Sequence, residues 1–264
     1  MDILKKALAP ISDKAWEEIN DEAKNTLETV LSARRFVDVE GPKGIDYSAV
    51  HLGKLNVPSK QNKNDVQYGI NEVMPLVETR IPFELDIWEL DNVVRGNEDI
   101  NLDNLQEAAY KIASFEEKAI YHGFKQANID GMLNSSEYSA MQLPENLDAV
   151  VEKLSAAIVQ FQKKGVQGPF NFVVGPKIYQ KLNSHMKGYP LKKQVLNTIG
   201  GEIILSHEID SALLVSARGG DFRLTLGNDL SIGYDNHTNQ KVELYLMESF
   251  TFQVLDPAAI IVFK

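Results

Sequence analysis

The chain has 264 residues, 44% hydrophobic and 24% charged, proportions of a globular protein with room for a substantial core. Its 37 acidic against 27 basic residues give a formal charge of −10, and no basic run is present to neutralise phosphates, which argues against nucleic-acid binding. The absence of cysteine removes disulfides, thiolate nucleophiles and cysteine-ligated metals, and no apolar run approaches the roughly 20 residues that span a bilayer.

Met1 to Lys6 holds two lysines with no apolar stretch behind them, so no export signal is expected and a cytoplasmic location is. Ser12 or Asp13, just after Pro10, caps a first helix. Trp16, Ile19, Ala23, Leu27, Val30 and Leu31 recur along it at helical spacing. Its end is expected near Arg34-Arg35, where positive charge suits a helix C-terminus. Two extended segments follow, Val50 to Val57 and Val66 to Arg80, separated by the polar, turn-rich stretch 58–64. They predict a long hairpin arm, a structure too thin to be stable without a surface to lie on. From Phe83 to Trp88 the residues alternate as in a strand, with Glu84, Asp86 and Trp88 on one face.

Asp103, with Gln106 as capping-box partner, opens a long helix buried through Leu105, Ala108, Ala109, Ile112, Ala113, Ala119, Ile120 and Phe124. A third helix follows Pro144, with the stripe Leu147, Val150, Val151, Leu154, Ile158 and Phe161, and Gly165 as its stop. Beyond it the pattern predicts short strands at 170–174, 202–205, 212–216, 222–226, 242–247, 250–255 and 259–263, and one or two short helices between Pro176 and Thr198. No linker divides the chain and no repeat is present, so the fold class is α+β, one intertwined unit with a projecting arm.

A search for chemistry finds little. His51, His122, His185, His207 and His237 include no pair at the spacing that places two ligands on one helix face, and they read as surface or structural residues. The acids Glu84, Asp86, Glu89 and Asp91 could serve acid–base work or a hard cation, but alternating acids on a strand ordinarily face water. The glycine pairs Gly200-Gly201 and Gly219-Gly220 match no phosphate-cradling loop and read as turns, and no serine sits in a nucleophile elbow. No catalytic residue and no metal site is predicted. The arm points to assembly, because its partner surface is readily supplied by another copy of the chain.

Several longer motifs are specific. The stretches 34–42 (Arg34-Arg35-Phe36-Val37-Asp38-Val39-Glu40-Gly41-Pro42), 83–92, 218–222, 226–234 and 248–254 occur in order over nearly the whole chain. In these the chain resembles the encapsulin shell proteins, the linocin M18-like group with the HK97 phage-capsid fold. The resemblance implies a shell subunit that closes into an icosahedral cage of about sixty copies, as symmetric closure would favour. It implies a division into an N-terminal helix and arm (1–45), an extended loop (46–82), a peripheral domain (83–132 and 223–264) and an axial domain (133–222). It also implies a cargo enzyme, a ferritin-like iron-storage protein or a dye-decolourising peroxidase, docked through its C-terminal targeting peptide and serving iron storage or oxidative-stress defence. By resemblance the peptide would lie against Leu27, Leu31, Arg34, Asp38, Asp229 and Ile232. The five-fold pore loop would be Ser184, His185, Met186, Lys187, Gly188 and Tyr189, with Gly188 where relatives often carry histidine. No cofactor is required. Some relatives hold an exterior flavin on a tryptophan matching Trp88, with Arg80 as second candidate. A straight strand would set those two roughly 26 Å apart. The alternatives are a phage major capsid protein of the same fold and, from older descriptions of the family, a hydrolase or protease.

Overall fold

The computed structural model describes residues 3–62, 64–144, 146, 149–184 and 190–264. Ser12 Oγ accepts the Ala15 N–H at 3.3 Å and opens helix α1, Asp13–Val30, which buries Ala15, Ile19, Ala23 and Val30. The helix ends at Val30 and not at the arginine pair. Ser32 Oγ donates to the buried Glu117, and the Ala33 N–H reaches Glu117 Oε1 at 2.8 Å. Those bonds draw the chain out of helical register, and Arg34 and Arg35 fall in a 3₁₀ turn, Ala33–Arg35.

Strand β1 (Asp38–Glu40) precedes a hairpin of β2 (Ala49–Asn56) and β3 (Ile70–Pro75), paired from Ala49↔Pro75 to Asn56↔Ile70. The arm is shorter than the sequence suggests. Leu76 N–H bonds Ser48 O at 2.9 Å at the base of the hairpin, and β4 (Val77–Asp86) then joins a different sheet. The expected strand from Val66 to Arg80 is therefore two segments. The strand expected through Trp88 stops two residues early. Asp86 Oδ1 accepts from Trp88 N–H at 2.8 Å and Glu89 N–H at 3.4 Å, capping helix α2 (Ile87–Arg95). Helix α3 (Asp103–His122) forms without the expected capping box: Asn101 Oδ1 accepts the Asp103 N–H at 3.0 Å, and Gln106 donates to Glu22 of α1 at 2.6 Å.

The second half contains α4 (Met132–Ser135), α5 (Val150–Lys163), β5 (Phe170–Val174), α6 (Pro176–Ser184), α7 (Leu191–Ile199), β6 (Gly200–Leu205) and β7 (Ala212–Ser216). Strands β8 (Phe222–His237), β9 (Lys241–Val254) and β10 (Ile260–Phe263) complete it. Where short strands at 222–226, 242–247 and 250–255 were expected, β8 and β9 form one long antiparallel ribbon. The polar pair Glu248-Ser249, which interrupts the apolar run, lies inside β9 and is buried.

Two four-stranded sheets result, in the orders β1-β8-β9-β4 and β10-β7-β5-β6. Strands β5, β7 and β10 are buried at every residue, the polar Asn171 and Ser216 included, as their predominantly apolar runs imply. Each fully buried leucine or phenylalanine contributes about 2 kcal/mol. The core is divided in two. One cluster gathers Leu105, Ala108, Ala109 and Ile112 of α3 with Ile232, Leu244 and Leu246. The other gathers Ala119, Ile120 and Tyr121 of the same helix with Leu224, Leu226, Phe250 and Phe252 and the second sheet. Helix α3 and the β8–β9 ribbon pass through both. At the crossing point the buried residues turn polar: Ser114, Glu116 and Glu117 on α3, Glu248 and Ser249 on β9, and Ser32 after α1.

Candidate functional site

Five of the six residues expected at a peptide-docking wall line one groove. Leu27, Leu31, Arg34, Asp229 and Ile232 meet between α1 and β8 around a depression of about 390 Å³. The i, i+4 series Ala23, Leu27, Leu31 supplies the α1 side, and Leu230, Ile232 and Leu246 the sheet side. Lys6, Lys24 and Glu28 add charge to the lining. Asp38 is the exception. It begins β1, is exposed, and accepts the Gly220 N–H at 2.6 Å, so it braces the 218–221 turn instead of the groove. Leu246 was not foreseen, because nothing local to β9 shows that it faces α1.

Under the groove lies an ionised network. Arg34 Nε contacts Glu116 Oε1 and Oε2 at 2.9 and 3.1 Å, and its Nη2 contacts Glu116 Oε2 at 2.5 Å. The same Nη2 donates to Glu248 Oε1, and Nη1 donates to Asp229 Oδ1 at 2.9 Å. Burial alone would lower the Arg34 pKa. Hydrogen bonds and attraction from Glu116, Glu248 and Asp229 outweigh burial and raise it above its ordinary value. Glu248 is fully buried and its Oε2 meets no donor. Desolvation, reinforced by Glu116 beside it, holds its carboxyl well above the usual range against the pull of Arg34.

Next along α3, Glu117 accepts from Ser32, from Ala33 N–H at 2.8 Å and from Ser206 Oγ at 3.4 Å. Burial is the largest influence on it and pushes its pKa up to about 7, although the Ser32 and Ala33 bonds favour the charged form. Tyr121 OH, 2.8 Å from Ser32 Oγ, closes this second cluster, and burial keeps it protonated.

The remaining expectations fare differently. Trp88 is 68% exposed on the first turn of α2. Arg80 is on β4, where its guanidinium stacks on the Tyr245 ring at 4.3 Å. Glu84 pairs with Lys241, Asp86 caps α2, and Asp91 pairs with Arg95 at 3.7 Å, so three of the four acids in that series have structural partners. Among the described residues no group of three or more candidate ligands is placed to hold a metal ion. His122 Nε2 contacts Glu208 O at 2.7 Å, and His237 Nδ1 contacts Tyr234 OH at 2.6 Å, both structural roles. Ser184 ends α6 with its hydroxyl on Lys181 O at 3.3 Å, while the rest of the expected pore loop, His185 to Tyr189, lies outside the described residues. No helix among the described residues is long and apolar enough to cross a membrane.

The architecture has close counterparts among capsids. A virus-like particle from Pyrococcus furiosus matches with a TM-score of 0.67 at 17% identity, over 94% of this chain and 98% of that one. The capsid of Myoviridae Phage XM1 matches with a TM-score of 0.56 at 10% identity, over 88% of this chain and 91% of that one. The fold is that of the HK97-type capsid subunits. Sequence narrows the class. Residues 1–251 match the Linocin M18 family, described as an encapsulating protein for peroxidase. Type 1 encapsulin shell proteins of Rhodospirillum rubrum and Brevibacterium linens are 41% and 38% identical to the chain. Those matches cover 98% and 97% of this chain, and 95% and 96% of the relatives. The chain belongs to the encapsulin shell proteins, which build a capsid-like compartment, and its likeness to phage capsids is one of fold.

Proposed function

We propose that the chain is the wall subunit of a cytoplasmic icosahedral compartment of about sixty copies that holds a cargo enzyme by its C-terminal peptide. The cargo is a dye-decolourising peroxidase or a ferritin-like iron-oxidising protein, and the family description favours the first. The observation that carries the docking reading is the α1–β8 groove. Its apolar lining comes from one helix and one strand, and it offers successive pockets to alternate side chains of an extended segment. The subunit needs no catalytic group for this role. Solute passage is assigned to the loop at 184–189.

The test uses Leu27, half-buried and on the groove wall. Leu27→Asp places a charge among Leu31, Ile232 and Leu246, and cargo co-purifying with the shell should fall at least about tenfold, a charge in an apolar pocket costing well over 1.4 kcal/mol. Electron microscopy should still show closed shells. Undiminished cargo in closed Leu27→Asp shells would refute the groove as the docking site.

A further inference from the structure

Glu117 is a buried acid that the docking role leaves unused. It has no exposed surface, and among the described residues no lysine, arginine or histidine pairs with it. Its contacts are neutral. Ser32 Oγ donates to Oε2, Ala33 N–H donates to Oε1 at 2.8 Å, and Ser206 Oγ lies 3.4 Å from Oε2. A carboxylate buried without a cation costs far more than an amide of the same shape, so glutamine would serve better as a fixed acceptor.

The partners form a ring. Tyr121 OH is 2.8 Å from Ser32 Oγ, and the Ser206 hydroxyl also bears on it. Each hydroxyl has one hydrogen to give. With Glu117 ionised, both serines turn theirs to its carboxylate and Tyr121 gives its own to Ser32, which leaves the side between Tyr121 and Ser206 without a hydrogen. With one proton more, the hydrogens run head to tail, from Glu117 to Ser32, to Tyr121, to Ser206 and back, and every side is bonded.

The ring joins three parts of the fold. Ser32 and Ala33 form the exit from α1, Glu117 and Tyr121 belong to α3, and Ser206 follows β6 with its N–H on Val174 O at 3.0 Å, at the end of β5. The charged groups around it are committed elsewhere. Glu116 and Glu248 share Arg34, and Arg35 pairs with Glu202 at 2.5 Å. Glu208 holds Ser114 at 2.5 Å and Lys118 at 3.5 Å, His122 contacts Glu208 O, and His207 is exposed. Of these, Glu116 acts directly on Glu117 and opposes its charge.

We infer that this ring is a proton-operated latch: protonated at Glu117 it clasps the α1 exit to the second sheet, and on losing that proton it opens and lets the two parts of the subunit move. Burial raises the Glu117 carboxyl to about 7, which sets the opening near neutrality. In the opened form the carboxylate meets water and recovers an ordinary pKa. Opening is therefore promoted as pH rises to about 7 and levels off above it.

Hydrogen exchange on assembled shells, read by mass spectrometry at about pH 5.5 and about pH 8 and corrected for the intrinsic effect of pH, tests the latch. Between those values protection should fall at least about tenfold in peptides covering 31–37 and 204–210, with no comparable change in β10. In Glu117→Gln shells the amide keeps an acceptor for Ala33 N–H and a donor for the serines, and protection should be the same at both values. In Ser206→Ala shells the ring cannot close, and protection of 31–37 at about pH 5.5 should be at least about threefold below the parent's. The parent measurement stands whether or not either variant assembles. Protection unchanged with pH in the parent, a loss spread evenly over all peptides, or a pH effect retained in Glu117→Gln shells overturns the inference. So does a Ser206→Ala profile that superimposes on the parent's.

Discussion

Replacing Glu117 by glutamine should change how stability depends on pH, with a sign fixed by the structure. Glu117 is raised from an ordinary 4.5 to about 7 in the folded chain. The folded state therefore binds a proton that the unfolded chain has released, and the carboxyl favours folding most below its unfolded value. That advantage disappears as pH rises through about 7. At 1.36 kcal/mol for each unit, the difference amounts to about 3 kcal/mol between acid and alkaline conditions. Glutamine keeps an acceptor for the Ala33 N–H and has nothing to lose on titration. Relative to the parent, Glu117→Gln should therefore gain about 3 kcal/mol between about pH 4.5 and about pH 8.5. Guanidinium unfolding of assembled shells across that range measures it. Glu107→Gln, on the exposed face of the same helix, serves as control. Parallel pH profiles for parent and Glu117→Gln would refute the assignment of the titration to this carboxyl.

Three further outcomes follow from the same framework. Arg34→Ala strands the buried Glu116 and Glu248 without their cation and should cost about 3–5 kcal/mol near neutrality, in denaturant titrations. Gly131 has φ +44 and a Cβ there would stand 2.2 Å from Gly123 N, so Gly131→Ala should destabilise by at least about 2 kcal/mol and lower the yield of soluble shells. Tyr245→Phe removes the hydroxyl that donates to Ile3 O at 2.8 Å; it should cost about 1 kcal/mol and speed proteolysis at the N-terminus, read by mass spectrometry of limited digests.

The helices were legible because their apolar stripes are long and their caps local, as with Ser12 and the Ala15–Val30 face of α1. The hairpin was legible through the polar stretch 58–64 between its strands. What local pattern could not show was where long-range bonds overrule it. Glu117 ends α1 from the far side of the fold, and β9 runs unbroken through Glu248 because Arg34 meets that carboxylate inside. One signal was available and unused. Glu116 and Glu117 follow Ile112 and Ala113 by four residues, so the α3 stripe itself places two acids on the buried face. Within the groove, helical spacing gave Leu27 and Leu31 their common side, whereas Arg34, Asp229 and Ile232 were brought there by resemblance. Asp38 stands outside the groove lining, and only the fold reveals that its partner is the backbone of Gly220.

The layered core also gives the subunit a preferred line of flexure. Helix α3 and the β8–β9 ribbon run through it like two battens, and both are close-packed against apolar neighbours on either side of one narrow band. In that band the contacts are hydrogen bonds, from Ser32 to Glu117 and from Arg34 to Glu116 and Glu248, and the register of the ribbon shifts beside Asp229. Close-packed apolar layers resist shear, while hydrogen bonds between side chains tolerate small rotations. Strain imposed on a curved wall by crowded contents would thus be taken up at the floor of the groove, so that a filled particle and an empty one should differ in stiffness at that same line.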